Sequence, residues 1–372
     1  MRYFVSTGEA SGELSGVLLA QAIRAHDPQA QFEGIGHQRM HDAGFTIWRD
    51  HRGWASMGPL AAIPRIPGLL NAMWQTARHI ARTKPDLVIL IDFGAFNVRL
   101  AKELRTRLHY AGPILDLFPP ATWLDNRKRA KEISSYAVPM TAFEHQYEFY
   151  KRHDLPIVYF GHPLAAQYPA RAPLPAPPAR GGRVALLPGS RGGELRYHVP
   201  ALVQAYRLLK ARRPQLHGTF GAADARAEKT LRTIVEREGL KDVTVERGVQ
   251  AAIAGADAAW VSSGTAVLET TLTGVPVVAL YKIAPILVKH ARRVYSGRFI
   301  TLPNLVVGEE IVPELLQDDA TPERLAETME HLLDDPFAQV RHFDRLRRAL
   351  GPPDALDRCA QFAVSLARTG AA

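Results

Sequence analysis

The chain has 372 residues, 47% hydrophobic and 22% charged, with a formal net charge of +9. That length suits two domains with separate cores and excludes a disordered or fibrous protein, while a single cysteine, Cys359, excludes an intramolecular disulfide and a cysteine-based zinc site, as suits a reducing compartment. The positive excess favours anionic partners such as phosphorylated small molecules or anionic lipid; without zinc-finger spacing, an aromatic RNA-binding signature or a lysine-rich arm, nucleic acid is not expected.

The chain opens with a short apolar strand over 3–6 and a glycine turn, STGEASGE, without the long apolar region of a secretory leader. No apolar run is long enough to span a bilayer, so a cytoplasmic location with at most peripheral membrane contact is expected. A helix over 13–25 follows, then strands over 87–91 and 114–118 flanking a helix over 97–108. Between them, residues 48–74 mix tryptophans, leucines and arginines; this segment either meets lipid headgroups and acyl chains, or packs Leu69, Leu70, Met73 and Trp74 onto the sheet as an amphipathic helix. Crowded prolines in YPARAPLPAPPARGG predict a stiff linker. Beyond it, strands over 184–187, 219–220, 243–245, 258–261 and 277–280 alternate with helices. The division expected is a first domain over 1–168, a linker over 169–182, a second domain over 183–340, and terminal helices over 341–372 that pack back on the first domain. Strand and helix alternate in both halves, which predicts an α/β protein with two Rossmann-like parallel sheets.

Ligands on such sheets bind at the carboxyl ends of the strands. STGEASGE, IDFGAFN, LLPGSRGGE and SSGTAVLE all follow apolar runs there, and two domains with these loops facing one another would leave a central cleft. Neither a dinucleotide fingerprint nor a P-loop is present. In WVSSGTAVLETTLTGVPVVALY, small residues Ser262, Ser263 and Gly264 join a strand to a helix beginning near Thr265, whose first amides and macrodipole suit a phosphate. Glu269, one turn on, could accept hydrogen bonds from sugar hydroxyls; alternatively Ser263 is a plain N-cap and Glu269 a solvated helix residue.

STGEASGE, KPDLVILIDFGAFN, FGHPLA, LLPGSRGGE, SSGTAVLE and TLPNLVVGEEIVPELLQ occur in the order and approximate spacing of lipid-A-disaccharide synthases, and from Phe4 to Leu325 the chain resembles that family. The resemblance implies the GT-B glycosyltransferase fold and inverting transfer of 2,3-diacylglucosamine from UDP to 2,3-diacylglucosamine 1-phosphate, giving a β-1,6 link and UDP. It implies no metal or redox cofactor, a UDP-diacylglucosamine-like donor, a lipid phosphate acceptor at the inner-membrane surface, and it allows a homodimer.

The same resemblance assigns Asp92 as general base, with an N-cap for the next helix as the competing reading. Arg191 would neutralise the departing diphosphate, with Gly189, Ser190 and Gly192 shaping its loop. Ser262 to Thr265 would hold the pyrophosphate, Glu269 the ribose, and Asn304 the donor or acceptor unless it is a turn residue. Glu9, Ser11, Asn97, Trp123 and His162 would support the acceptor, although Ser11 also reads as an N-cap and His162 as a structural histidine. The chain departs from the family pattern at Gly94 and Ala95, where a proline and a second aspartate are usual, and at Asp125, where a second tryptophan is usual. These departures fall in the acceptor half. They keep open a related enzyme with another lipid acceptor and a silent nucleotide- or lipid-binding protein; a UDP-sugar epimerase stays open because such enzymes share the architecture.

Overall fold

In the computed structural model the described residues are all except 53, 55–65, 120–125, 169–180, 289–296 and 371–372. They form two compact units, Met1–Gln167 with Leu350–Ala372, and Tyr168–Ala349. The first unit carries β1 (Arg2–Ser6), α1 (Ala10–His26), β2 (Gln31–Gly36), β3 (Thr46–Asp50), α2 (Ile66–Thr83), β4 (Leu87–Ile91) and α3 (Gly94–Thr106), in chain order. Then come β5 (Ile114–Leu117), α4 (Arg127–Tyr136), β6 (Val138–Thr141), α5 (Glu144–Arg152) and β7 (Val158–Tyr159). The second unit carries β8 (Gly181–Leu187), α6 (Gly192–Arg212), β9 (Gln215–Ala222), α7 (Ala225–Arg237), β10 (Val243–Arg247), β11 (Ala258–Ser262) and α8 (Thr265–Leu272). It continues with β12 (Val277–Tyr281), α9 (Leu302–Val307), β13 (Glu314–Leu316), α10 (Pro322–Asp334) and α11 (Phe343–Ala349), before α12 (Ala355–Thr369) returns to the first unit.

Both sheets are parallel. Their strand orders are β3-β2-β1-β4-β5-β6-β7 and β10-β9-β8-β11-β12-β13, so each winds outward in two directions from a central pair. β4, LVILI, is buried along its whole length because helices cover both faces. On one face Tyr3, Val5 and Ile89 pack with Cys359, Ala360 and Ala363 of α12; on the other Phe4, Val88 and Leu90 pack with Met73 of α2 and Leu100 of α3. Cys359 is thus a core residue whose thiol pKa burial pushes up to about 12.

In the second unit Trp260 of β11 is fully buried among α6 and α10 and donates its indole N–H to Leu325 O at 3.0 Å. β8 begins at Gly181, inside the stretch expected as linker. The terminal break lies at Leu350 rather than 341: Phe343 and Leu346 of α11 are buried, and Arg347 donates to the Leu272 carbonyl, which ties α11 to the second unit. Trp260→Phe removes a donor from the buried Leu325 carbonyl and leaves a small void; a loss of about 2 kcal/mol is expected, read as a lower denaturant midpoint for the second unit.

Candidate active site

Each sheet has one pair of adjacent strands from which the following chain leaves in opposite directions, β1/β4 in the first and β8/β11 in the second. The loops leaving such a pair separate and open a crevice at the carboxyl edge. STGEASGE leaves β1, IDFGAFN leaves β4, PGSRGGE leaves β8, and SSGT leaves β11.

At β1/β4 the backbone is strained. Asp92 and Phe93 are consecutive non-glycine residues in the left-handed region, with φ of 49° and 48°; such residues cost on the order of 1–3 kcal/mol each and persist only where neighbours fix them. Asn97, fully buried, is the fixing residue. Its Nδ2 donates to Asp92 O at 2.8 Å and Ile91 O at 3.2 Å, and reaches Ser6 O at 3.4 Å, while its Oδ1 accepts from Ser6 Oγ at 2.7 Å. Asp92 N–H also donates to Leu117 O at 3.0 Å, anchoring the turn to β5. Gly8 completes the join, since a Cβ there would lie 2.2 Å from Phe93 Cγ. Trp54 packs over this turn, with ring centroids 6.2 Å from Phe93 and 5.0 Å from Phe96.

The result is an exposed Asp92 on a rigid corner. Asp92 is not the N-cap of α3, because the left-handed Phe93 holds that position. Ser11 likewise lies inside the first turn of α1, whose N-cap is the extended backbone of Glu9. Asn97 is a structural clamp beneath the turn rather than a group facing an acceptor. His162 is buried, accepts from Leu164 N at 3.1 Å and stacks near Phe118 at 5.6 Å; burial pushes its pKa down to about 3, so it is a neutral structural residue. Trp123 and Asp125 lie outside the described residues.

At β8/β11 the loop after β8 closes on Glu194. This buried carboxylate accepts from Ser190 N at 2.8 Å, Arg191 N at 3.1 Å and Arg191 Nη1 at 2.9 Å. Gly189, with φ of 109°, is required there, as a Cβ would sit 2.2 Å from the Glu194 carboxylate. Gly192 opens α6 and a Cβ there would meet nothing. His198 ties this loop to the end of β12: its Nδ1 lies 2.8 Å from Pro188 O and its Nε2 2.8 Å from Lys282 N. Since Nε2 must accept from an amide, Nδ1 carries the proton, and burial holds the ring pKa below its usual value.

Across the pair, Gly264, with φ of 153°, is the N-cap of α8, so Ser263 is not. Ser263 Oγ donates instead to Ile300 O at 3.4 Å, and Thr265 is the first residue of the helix. Ser262 Oγ is buried with no hydrogen-bond partner among the described residues. Glu269 is not solvated: it is 9% exposed and accepts from Tyr168 OH at 3.1 Å. Asn304 is fully buried and fully used, donating to Val312 O and Glu314 and accepting from the amides of Ile311 and Val312, all at 2.8 or 2.9 Å. It therefore has no capacity left for a ligand and shapes the loop before β13 instead. Among the described residues no cluster of three or more His, Cys, Asp or Glu could hold a metal ion.

Two doubly wound parallel-sheet units with polar loops at their switch points define the class: a GT-B-type fold. The crystal structure of CalG4, the calicheamicin glycosyltransferase, has a TM-score of 0.61 at 14% identity over 100% of this chain and 99% of that one. The S. aureus MnaA–UDP co-structure has a TM-score of 0.64 at 10% identity over 98% and 97%; a Neisseria meningitidis UDP-GlcNAc 2-epimerase bound to UDP-GlcNAc scores 0.57 at 10% identity over 98% and 99%. The fold thus accommodates both transferases and epimerases. Sequence decides: the family model for lipid-A-disaccharide synthetase matches residues 3–349, and lipid-A-disaccharide synthases of Pseudomonas aeruginosa UCBPP-PA14 and Azotobacter vinelandii are 34% and 35% identical, each over 98% or more of both chains. The chain belongs to the lipid-A-disaccharide synthetase family and is a glycosyltransferase.

Asn97→Ala strips donors from the carbonyls of Ile91 and Asp92 in a strained turn. A loss of about 1–3 kcal/mol in the first unit is expected by denaturation, together with a fall in kcat that exceeds any change in donor KM.

Proposed function

We propose that the chain transfers 2,3-diacylglucosamine from UDP to the 6-hydroxyl of 2,3-diacylglucosamine 1-phosphate. The observation that carries this reading is the exposed carboxylate of Asp92 on a turn pinned at the β1/β4 switch point, in a chain of this family. Asp92 takes the hydroxyl proton as the acceptor oxygen bonds to the anomeric carbon; the bond to UDP breaks on the opposite face, its electrons pass to the β-phosphate oxygen, and the configuration inverts. The second unit holds the donor. Amides at the start of α8 and the Arg191 guanidinium take the diphosphate, Ser262 Oγ offers a buried hydroxyl beside them, and Glu269 takes the ribose. This requires Arg191 to exchange Glu194 for phosphate, and Glu269 to keep or trade its Tyr168 hydrogen bond.

The acceptor is a lipid in this reading, and the first unit meets the inner-membrane surface. Support comes from the first turn of α2, where Ile66 and Leu70 are 43% and 38% exposed one turn apart. Among the described residues no helix is long and apolar enough to cross a membrane. No metal takes part in the proposed chemistry, so chelation should leave the rate unchanged.

Asp92→Ala should lower product formation by about 10²–10⁴-fold while UDP still binds, whereas Glu269→Ala should weaken UDP by roughly 10–100-fold. Mass spectrometry of products from UDP-diacylglucosamine with a panel of lipid acceptors, alongside calorimetric UDP titration, checks both. UDP-sugar turnover without acceptor would support an epimerase instead.

A further inference from the structure

Beneath the Asp92 turn lies a second carboxyl group that the mechanism above does not use. Asp116 interrupts the apolar strand β5, ILDL, beside β4 in register with Leu90. It is 2% exposed, and its Oδ1 meets no hydrogen-bond partner among the described residues. The next residue, Leu117, accepts the amide hydrogen bond of Asp92. Three charged or titratable groups act on Asp116 from the elements around it: Asp92 at the end of β4, Arg129 on α4, and Tyr150 on α5. Arg129 is committed elsewhere, to Glu132 at 3.2 Å and to Gly94 O, in the same turn as Asp92, at 3.3 Å. The Tyr150 hydroxyl is itself buried without a hydrogen-bond partner among the described residues.

An ionised carboxylate with an unpartnered buried oxygen carries a desolvation cost that a neutral acid largely avoids. Burial first, and the Asp92 charge second, accordingly push the Asp116 pKa from its ordinary 3.8 up to about 8, against a smaller opposing pull from Arg129.

We propose that Asp116 is a positioning residue for Asp92: as a neutral acid it packs under the β4–α3 turn, and when it loses its proton a second negative charge beneath that turn disables it. The proposal rests on the assignment of Asp92 as the base. It makes the alkaline limit of the enzyme a property of the acceptor unit, with donor binding untouched.

The test compares wild type with Asp116→Asn and Asp116→Leu, following UDP release from both substrates between pH 6 and 10. Wild-type kcat should fall by about tenfold per pH unit above pH 8 with donor KM level; Asp116→Asn should be about threefold slower at pH 7 but lose the alkaline fall, and Asp116→Leu should be slower throughout. The same alkaline fall in Asp116→Asn would overturn the proposal.

A second measurement is independent of the reaction. Since the folded state holds the Asp116 proton and the unfolded chain releases it near pH 4, wild type should lose stability relative to Asp116→Asn as pH rises from about 4 to about 8, and no further above that. A difference in Tm between the two that is level across that window would sink the proposal. If Asp116→Asn does not fold, carbon-13 NMR of aspartate-labelled wild type replaces it: one buried carboxyl should titrate near pH 8, and its absence would have the same force. Should wild type release no UDP from these substrates, the functional reading falls while the stability and NMR arms still decide the state of Asp116.

Discussion

A parallel sheet that winds outward from its middle has one place where consecutive connections leave on opposite faces, and only there can the carboxyl edge admit a ligand between two loops. This protein has that place twice, at β1/β4 and at β8/β11. The polar loops of the chain are distributed accordingly. Elsewhere the inner strands are apolar and covered by helices, apart from Asp116 in β5, while outer strands such as β3 and β10 carry charged residues.

The two points are built differently. The first stores strain: two left-handed residues are held by one buried asparagine that bonds to the ends of both strands of the pair. The backbone that carries its carboxylate is pinned by Asn97 and Leu117, which under the proposed function suits a base acting on one hydroxyl. The second is a set of exchangeable pairs, Arg191 with Glu194 and Glu269 with Tyr168, resting on the rigid supports of His198 and Asn304. Under the proposed function, such pairs would open to a diphosphate and a ribose that enter and leave.

Much of this was legible in the sequence, for a physical reason. Strands such as LVILI and AAWVS are buried on both faces and read as unbroken apolar runs, and their following loops identify themselves by glycine and small polar residues. Strands at or near the edges escaped: TIWRD is half-buried, β7 has two residues, and β6 contains Pro139, so none carries a clear period. The sequence also places Asp92 correctly as an exposed residue at the end of an apolar strand. The N-cap readings of Asp92, Ser11 and Ser263 failed because backbone geometry at Phe93, Glu9 and Gly264 starts those helices without side-chain caps. Asn97 and Asn304 looked like ligand contacts because sequence cannot reveal that both amides are buried and bonded to the loops they support. His198 gave no signal, since a histidine inside a long helix resembles any other. Asp116 did give one: an acid inside a four-residue apolar strand is out of place, and that misfit could have marked it.

The central claim is that the nucleotide belongs to the β8/β11 switch point and the reacting carboxylate to β1/β4. Hydrogen–deuterium exchange of the full chain with and without saturating UDP tests it most directly. Slower exchange is expected over 188–194 and 262–269, with 92–97 unchanged. Protection confined to the first unit, or none in either of those loops at saturation, would contradict it.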